Sequence, residues 1–215
     1  MIVRGFTGGV FVQNTYLVSC VGSGKAIVVD PGAAIGEALR VAEESSLDIV
    51  AIVLTHAHID HVDGAAEAKR RTGAPIALHP ADEQLYHAAP LQGQWFGVEV
   101  EPPPPLDSYL ADGDRVCFGS CELEVRFTPG HAPGHVALVG DGMALVGDCV
   151  FAGSIGRTDL PGGDLETLMK SIRERILTLP DETVLYPGHG PETTVGHERV
   201  SNPFLVPHLG GSSFA

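Results

Sequence analysis

The sequence predicts an α/β fold in which short buried strands alternate with helices and deliver their ends to one shared edge. Two observations carry this. Apolar runs of strand length recur along the chain, and each is closed by a tight turn bearing His or Asp. Between them lie segments whose apolar residues fall at helical spacing. With 215 residues and 44% hydrophobic composition, the chain can bury a sizeable core, and one domain over residues 1–215 is expected.

In chain order, Ala26-Ile27-Val28-Val29 reads as a buried strand ending at Asp30-Pro31-Gly32. Ile35, Ala38, Leu39 and Ala42 then mark one helix face. Ile49-Val50-Ala51-Ile52-Val53-Leu54 is the next strand, and it opens onto Thr55-His56-Ala57-His58-Ile59-Asp60-His61. Packing has no use for so many imidazoles beside a carboxylate at that point. Neutral imidazole and carboxylate are the ligands of zinc, iron and manganese. The Ala-rich stretch from Asp63 to Arg71 should be helical, with Lys69-Arg70-Arg71 as its solvated last turn. Residues 88–106 end in Pro102-Pro103-Pro104-Pro105, which forbids helix there. This segment reads as a surface excursion, or as a loop over a cleft with Trp95 or Phe96 as an apolar wall.

Farther on, Asp112-Gly113-Asp114 and Gly140-Asp141-Gly142 read as hairpin connections, with Gly119-Ser120 as another turn. Leu123-Glu124-Val125-Arg126-Phe127 ends at Thr128-Pro129-Gly130-His131, and Met143-Ala144-Leu145-Val146 ends at Gly147-Asp148. Asp164 is expected to cap a longer helix with Leu165, Leu168, Met169, Ile172 and Ile176 as its buried stripe. Thr183-Val184-Leu185-Tyr186 ends at Pro187-Gly188-His189. Gly and Pro at these exits permit sharp turns and close backbone approach.

A formal net charge of −14 disfavours nucleic acid as a partner. No apolar stretch approaches the length of roughly 20 residues that spans a bilayer. The N-terminus lacks an apolar signal-peptide core. A cytoplasmic protein acting on a small molecule, without a membrane partner, is expected. The Cys residues (Cys20, Cys117, Cys121, Cys149) form no Cys-x-x-Cys pair and are expected to be reduced and partly buried.

The motif His-x-His-x-Asp-His after a buried strand, followed by Gly-His, Gly-Asp and Pro-Gly-His, resembles the metallo-β-lactamase superfamily. More narrowly, Thr128-Pro-Gly-His-Ala-Pro-Gly-His135, the Gly147 to Asp164 segment with its Gly-Arg-Thr-Asp, and Pro187-Gly-His-Gly-Pro-Glu-Thr-Thr194 are similar to the short bacterial glyoxalase II-like (hydroxyacylglutathione hydrolase-like) hydrolases. The resemblance implies an αββα sandwich, two mixed sheets flanked by helices, with metal along one sheet edge. It assigns one metal to His56, His58 and His131, a second to Asp60, His61 and His189, and makes Asp148 the bridge. Asp30 would orient a ligand His, and His135 would stand behind the ligands. His79, His87, His197 and His208 match no ligand position.

Two divalent ions, zinc first and iron or manganese as alternatives, would share a water and lower its pKa from about 15.7 toward about 7. The implied activity is thioester hydrolysis of the glyoxalase II type, S-lactoylglutathione giving lactate and glutathione, with Asp60 both a ligand and a hydrogen-bond partner of the attacking water. The longer glyoxalase II enzymes carry a C-terminal helical domain that binds glutathione, and this chain is expected to lack it. Arg157 is the candidate cation for a substrate carboxylate, its competing role being a pair with Asp159 or Asp164. Two alternatives belong to other classes. One is a persulfide dioxygenase with one iron on His56, His131 and Asp148. The other is a non-enzymatic metal-binding module.

Overall fold

A computed structural model describes residues 1–206, so His208 lies outside the described residues. Strands β1 (Ile2–Gly8), β2 (Gln13–Ser19), β3 (Lys25–Val29), β4 (Asp48–Val53), β5 (Ile76–Leu78) and β6 (Ser108–Tyr109) form one sheet in that order. Strands β7 (Arg115–Phe118), β8 (Cys121–Phe127), β9 (Val136–Gly140), β10 (Met143–Gly147), β13 (Val184–Pro187) and β14 (Thr193–Thr194) form the second, ordered β14-β13-β10-β9-β8-β7. A small hairpin, β11 (Val150–Phe151) with β12 (Ser154–Ile155), follows β10.

Three apolar layers hold these sheets in an αββα stack. Val18, Ile27, Val29 and Val53 of the first sheet pack on Phe118, Leu123, Leu138 and Leu145 of the second. The outer face of the first sheet packs on helices α1 (Ile35–Glu44) and α3 (Ala65–Thr72) through Leu39, Ala42, Ala65 and Ala68. That of the second packs on α6 (Leu165–Ser171) and the π-helical turn Ile172–Ile176 that continues it. Burial on both faces explains why β3 and β10 read as unbroken apolar runs.

Strand direction is what assembles the site. β3, β4 and β5 run parallel, so their C-terminal ends share one edge. β10 and β13 are also parallel, and β8 runs with them because β9 is antiparallel to both β8 and β10. The two like edges are joined by main-chain hydrogen bonds, Val136 N–H to Thr55 O and Asn14 N–H to Gly188 O, both 2.8 Å. Each His- or Asp-bearing exit therefore opens at the same end of the sandwich, outside the carboxyl ends of the strands.

Several expectations need correction. Cys20 and Cys121 form a disulfide with Cα atoms 5.6 Å apart, tying the end of β2 to the start of β8, while Cys149 and Cys117 are free. The two partners lie 101 residues apart, so no spacing rule could pair them. Asp112-Gly113-Asp114 is not a hairpin turn, because β6 and β7 belong to different sheets. It is the crossover between them. Leu165 is 54% exposed and leaves the helix stripe, whereas Leu168, Ile172 and Ile176 are buried; Asp164 does cap α6 by accepting from Thr167 N–H at 2.7 Å. The predicted Asp63–Arg71 helix begins later, at Ala65, after a separate turn of helix, α2 (Ile59–Val62), that carries Asp60 and His61. Gly64, between the two, has no room for a side chain, since a Cβ there would strike Gly32 O and Ile35. Residues 88–106 do not begin as a loop. Helix α5 (Ala89–Phe96), which follows α4 (Glu83–His87), occupies their start.

Candidate metal centre

The exits bring together the side chains of His56, His58, Asp60, His61, His131, Asp148 and His189. His131 Nε2 lies 3.2 Å from His56 Nε2 and 2.8 Å from His58 Nδ1. His189 Nε2 lies 3.1 Å from Asp60 Oδ2, and His61 Nε2 is 3.8 Å from the same oxygen. Asp148 stands between the two groups. Its Oδ2 is 3.4 Å from both His131 Nε2 and His189 Nε2, and its Oδ1 is 3.3 Å from His61 Nε2.

Hydrogen bonds behind the rings fix which nitrogen faces inward. A carbonyl or carboxylate can only accept, so the imidazole nitrogen beside it carries the proton. His131 Nδ1 donates to Arg157 O at 2.7 Å, His189 Nδ1 to Phe11 O at 3.1 Å, and His61 Nδ1 to Asp30 Oδ2 at 2.9 Å. The Thr55 hydroxyl donates to Asp30 Oδ2 at 2.7 Å, which leaves its lone pairs to accept from His56 Nδ1 at 3.1 Å. These four rings therefore turn Nε2 toward the centre, the nitrogen left to bind a metal, or a proton in its place, once Nδ1 is committed behind the ring. His61 Nε2, His58 Nε2 and Asp148 Oδ1 are buried without a partner. Lone pairs this close repel one another unless a cation or proton lies among them. The donor set thus fits a metal, and it forms a His/Asp metal-binding cluster.

Asp30, His56 and His61 also lie within ligand distance of one another. The Asp30 carboxylate, however, is already spent on Thr55 N–H, the Thr55 hydroxyl and His61. It orients the ring rather than offering a free oxygen. Asp30 holds a left-handed φ of +50°, an uncommon conformation that aims its carboxylate back at β4. His135 is likewise consumed. It accepts from Asp148 N–H at 3.0 Å through Nε2, and its Nδ1 meets the Thr128 hydroxyl at 2.8 Å. His79 stacks on Phe127, while His87 and His197 are exposed; none reaches the cluster.

The electrostatics divide the cluster. Burial, reinforced by the neighbouring imidazoles, pushes His56 well below the ordinary histidine range and His58 down to about 3. Burial also lowers His131. These rings are neutral at pH 7. On the other side burial opposes charge but loses. Asp148, Asp60 and Asp30 hold His61 well above its ordinary value, and hydrogen bonds to Asp148 and Asp60 raise His189 to about 10. Burial alone would raise Asp60 and Asp148, yet the facing histidines pull both below the usual carboxylate range.

Two supporting residues carried no sequence signal. Asp82, fully buried, accepts from Ala57 N–H at 3.1 Å and from Gly134 N–H at 2.5 Å, so one carboxylate clamps the His56–His58 loop to the His131 loop. Gln92 on α5 accepts from Ile59 N–H at 3.2 Å and donates to Ala57 O at 3.1 Å. A lone Asp and a Gln in ordinary helical sequence look like solvated residues. Asp82→Ala strands two buried donors and is expected to cost about 2 kcal/mol or more, read as a lower denaturation midpoint at unchanged m-value. Gly188 leaves no room for a side chain, because a Cβ there would run into the Asp148 carboxylate and the His61 ring. Gly188→Ala is expected to weaken metal binding while the circular dichroism spectrum stays native.

A cleft of about 320 Å³ lies over His58, Asp60, His131, Asp148 and His189, with Phe11, Phe96 and Phe151 among its walls. Phe96, one of the two aromatics singled out in residues 88–106, reaches it and meets Phe11 edge to face at 5.3 Å, whereas Trp95 is 58% exposed. Arg157 borders the cleft, but its Nε and Nη2 both donate to Asp159, at 2.7 Å each.

The chain matches the family model of the metallo-beta-lactamase superfamily over residues 8–189. Hydroxyacylglutathione hydrolase GloC of Haemophilus influenzae is 38% identical over 189 residues, covering 84% of this chain and 87% of that protein. The crystal structure of BLEG-1 B3 metallo-beta-lactamase superposes with a TM-score of 0.89 at 32% identity, covering 96% of this chain and 100% of that one. That of TTHA1623 in a di-iron-bound form gives a TM-score of 0.86 at 40% identity, covering 94% and 100%.

Proposed function

The chain belongs to the metallo-beta-lactamase superfamily and is a metallo-hydrolase of that fold, and on that footing we propose that it hydrolyses thioesters in a reaction of the glyoxalase II type, with S-lactoylglutathione, cleaved to lactate and glutathione, as the reference substrate. The observation that carries this reading is the arrangement of the cluster itself. His56, His58 and His131 form one ligand group, Asp60, His61 and His189 a second, and Asp148 reaches both. Two divalent ions held there would lower the pKa of a coordinated water toward about 7 and polarise an acyl carbonyl. Zinc suits the donors, as do iron and manganese.

The chain's own residues do the rest. Asp60 stays ionised at neutral pH and can accept a hydrogen bond from the attacking water. Asp30, Thr55, Arg157 O and Phe11 O keep the imidazoles from turning. Among the described residues no Ser or Cys lines the cleft, and burial drives the nearby Cys149 thiol far above its ordinary value. A thiolate leaves without acid assistance, so a thioester asks for no proton donor in the cleft.

The test is turnover by purified, metal-loaded protein of S-lactoylglutathione, of a β-lactam and of glutathione persulfide, beside metal analysis. Thioester turnover with two ions per chain is the expected result. The β-lactam is included because BLEG-1, so similar in fold, is named a metallo-beta-lactamase. Oxygen uptake on the persulfide with one iron, and no thioester turnover, would overturn the proposal.

A further inference from the structure

Away from the cluster the walls of the cleft are apolar, and Arg157, the sole Lys or Arg among the described residues that line it, is already neutralised. Besides the cluster, the cleft is lined by Phe11, Phe96, Phe151, Ile155 and Leu160, on the β1–β2 turn, α5, β11, β12 and the segment after β12. Phe151 sits edge-on to His189 at 5.9 Å, which carries the apolar wall down to the cluster. Gln92 is the neutral polar exception, and its amide is committed to Ile59 N–H, Ala57 O and Leu85 O. Asp159 holds the Arg157 fork at two points. The pair brings no net charge to the cleft mouth. A substrate carboxylate would have to displace Asp159 and would still face it, in a protein of net charge −14.

We propose that the thiol half of the substrate is uncharged and apolar, seated against the Phe96 and Phe151 walls, and that Arg157 is not a receptor for a carboxylate. This rests on the thioester reading. With a small acyl group at the cluster, the rest of the 320 Å³ cleft receives the thiol portion. Glutathione presents carboxylates at both ends of its tripeptide, and among the described residues lining the cleft no Lys or Arg is unpaired to meet them. An aromatic or branched thiol would instead exchange hydration for ring contacts.

Two lactoyl thioesters, of glutathione and of phenylmethanethiol, are compared on metal-loaded protein. The apolar thioester is expected to have the higher kcat/KM by roughly tenfold or more. Phe151→Ala should lower kcat/KM for the apolar thioester several-fold more than for S-lactoylglutathione, so that most of the advantage is lost. Asp159→Asn should free Arg157 and raise kcat/KM for S-lactoylglutathione several-fold, with no change for the apolar ester. Thioether analogues that cannot be cleaved give a readout independent of turnover, since calorimetry on metal-free protein should detect the benzyl compound and not the glutathione one. Equal or better turnover of S-lactoylglutathione, or a selective loss on that substrate in Arg157→Ala, would overturn the inference and leave thioester hydrolysis standing. Absence of turnover on both thioesters would overturn both.

Discussion

Asp148→Ala is expected to lower turnover at least about a hundredfold and to reduce the metal content below two ions per chain. The reason is position. Asp148 is the carboxylate within 3.4 Å of His131, His189 and His61 at once, so its removal takes a donor from both groups. Losing a residue that only supports a ligand typically costs 10–100-fold in affinity or activity, and a shared donor should cost more. The fold should survive, because Asp148 N–H still donates to His135 and the apolar layers are untouched. Metal analysis beside the specificity constant reads the result. Two tightly held ions with full activity in the variant would show that Asp148 is no bridge.

Removing the metal is expected to abolish turnover and to destabilise the protein by an amount that grows with pH. In the metal-free chain the carboxylates hold protons on His61 and His189, His189 being raised to about 10 by its hydrogen bonds to Asp148 and Asp60 against the opposing effect of burial. A histidine raised in the folded state contributes stability that is fully present below its unfolded value, about 6.5, and is lost as pH rises toward the folded value. Metal replaces those protons. The melting temperatures of loaded and metal-free protein should therefore diverge from pH 7 to pH 9. On the acid side the sign reverses. Burial keeps His56 and His58 neutral, His58 down to about 3, so below about 6.5 the unfolded chain takes up protons that the folded chain refuses. Both forms should lose stability there, and ligand protonation should release metal. A constant gap between the two melting curves from pH 6 to pH 9 would contradict this division of the cluster.

What the sequence disclosed follows from topology. Parallel strands end at one edge, so side chains placed just after each apolar run gather in space although they lie far apart in the chain. That made Asp30, the His56–His61 stretch, His131, Asp148 and His189 readable as one cluster. The Gly140–Gly142 hairpin was readable from its turn residues, and the αββα sandwich from the family resemblance. Readability failed where a contact depended on three-dimensional packing alone. Cys20 meets Cys121 because two sheets stack, and nothing local to either residue announces it. Asp112-Gly113-Asp114 carries residues that suit a hairpin and a sheet-to-sheet crossover equally. Residues 89–96 are weak in helix signal, yet they fold as α5 because Ala89, Gln92 and Gly93 bury against the first sheet's helical layer. Asp82 and Gln92 act through main-chain groups of the ligand loops, a role that leaves no mark on spacing.

The most direct measurement is a titration of metal-free protein with a divalent ion, following S-lactoylglutathione and apolar thioester turnover at each addition. Two groups that share Asp148 predict activity that stays low up to one equivalent and reaches its plateau at two. Full activity at one equivalent, or thioester turnover by the metal-free chain, would contradict a two-metal hydrolase.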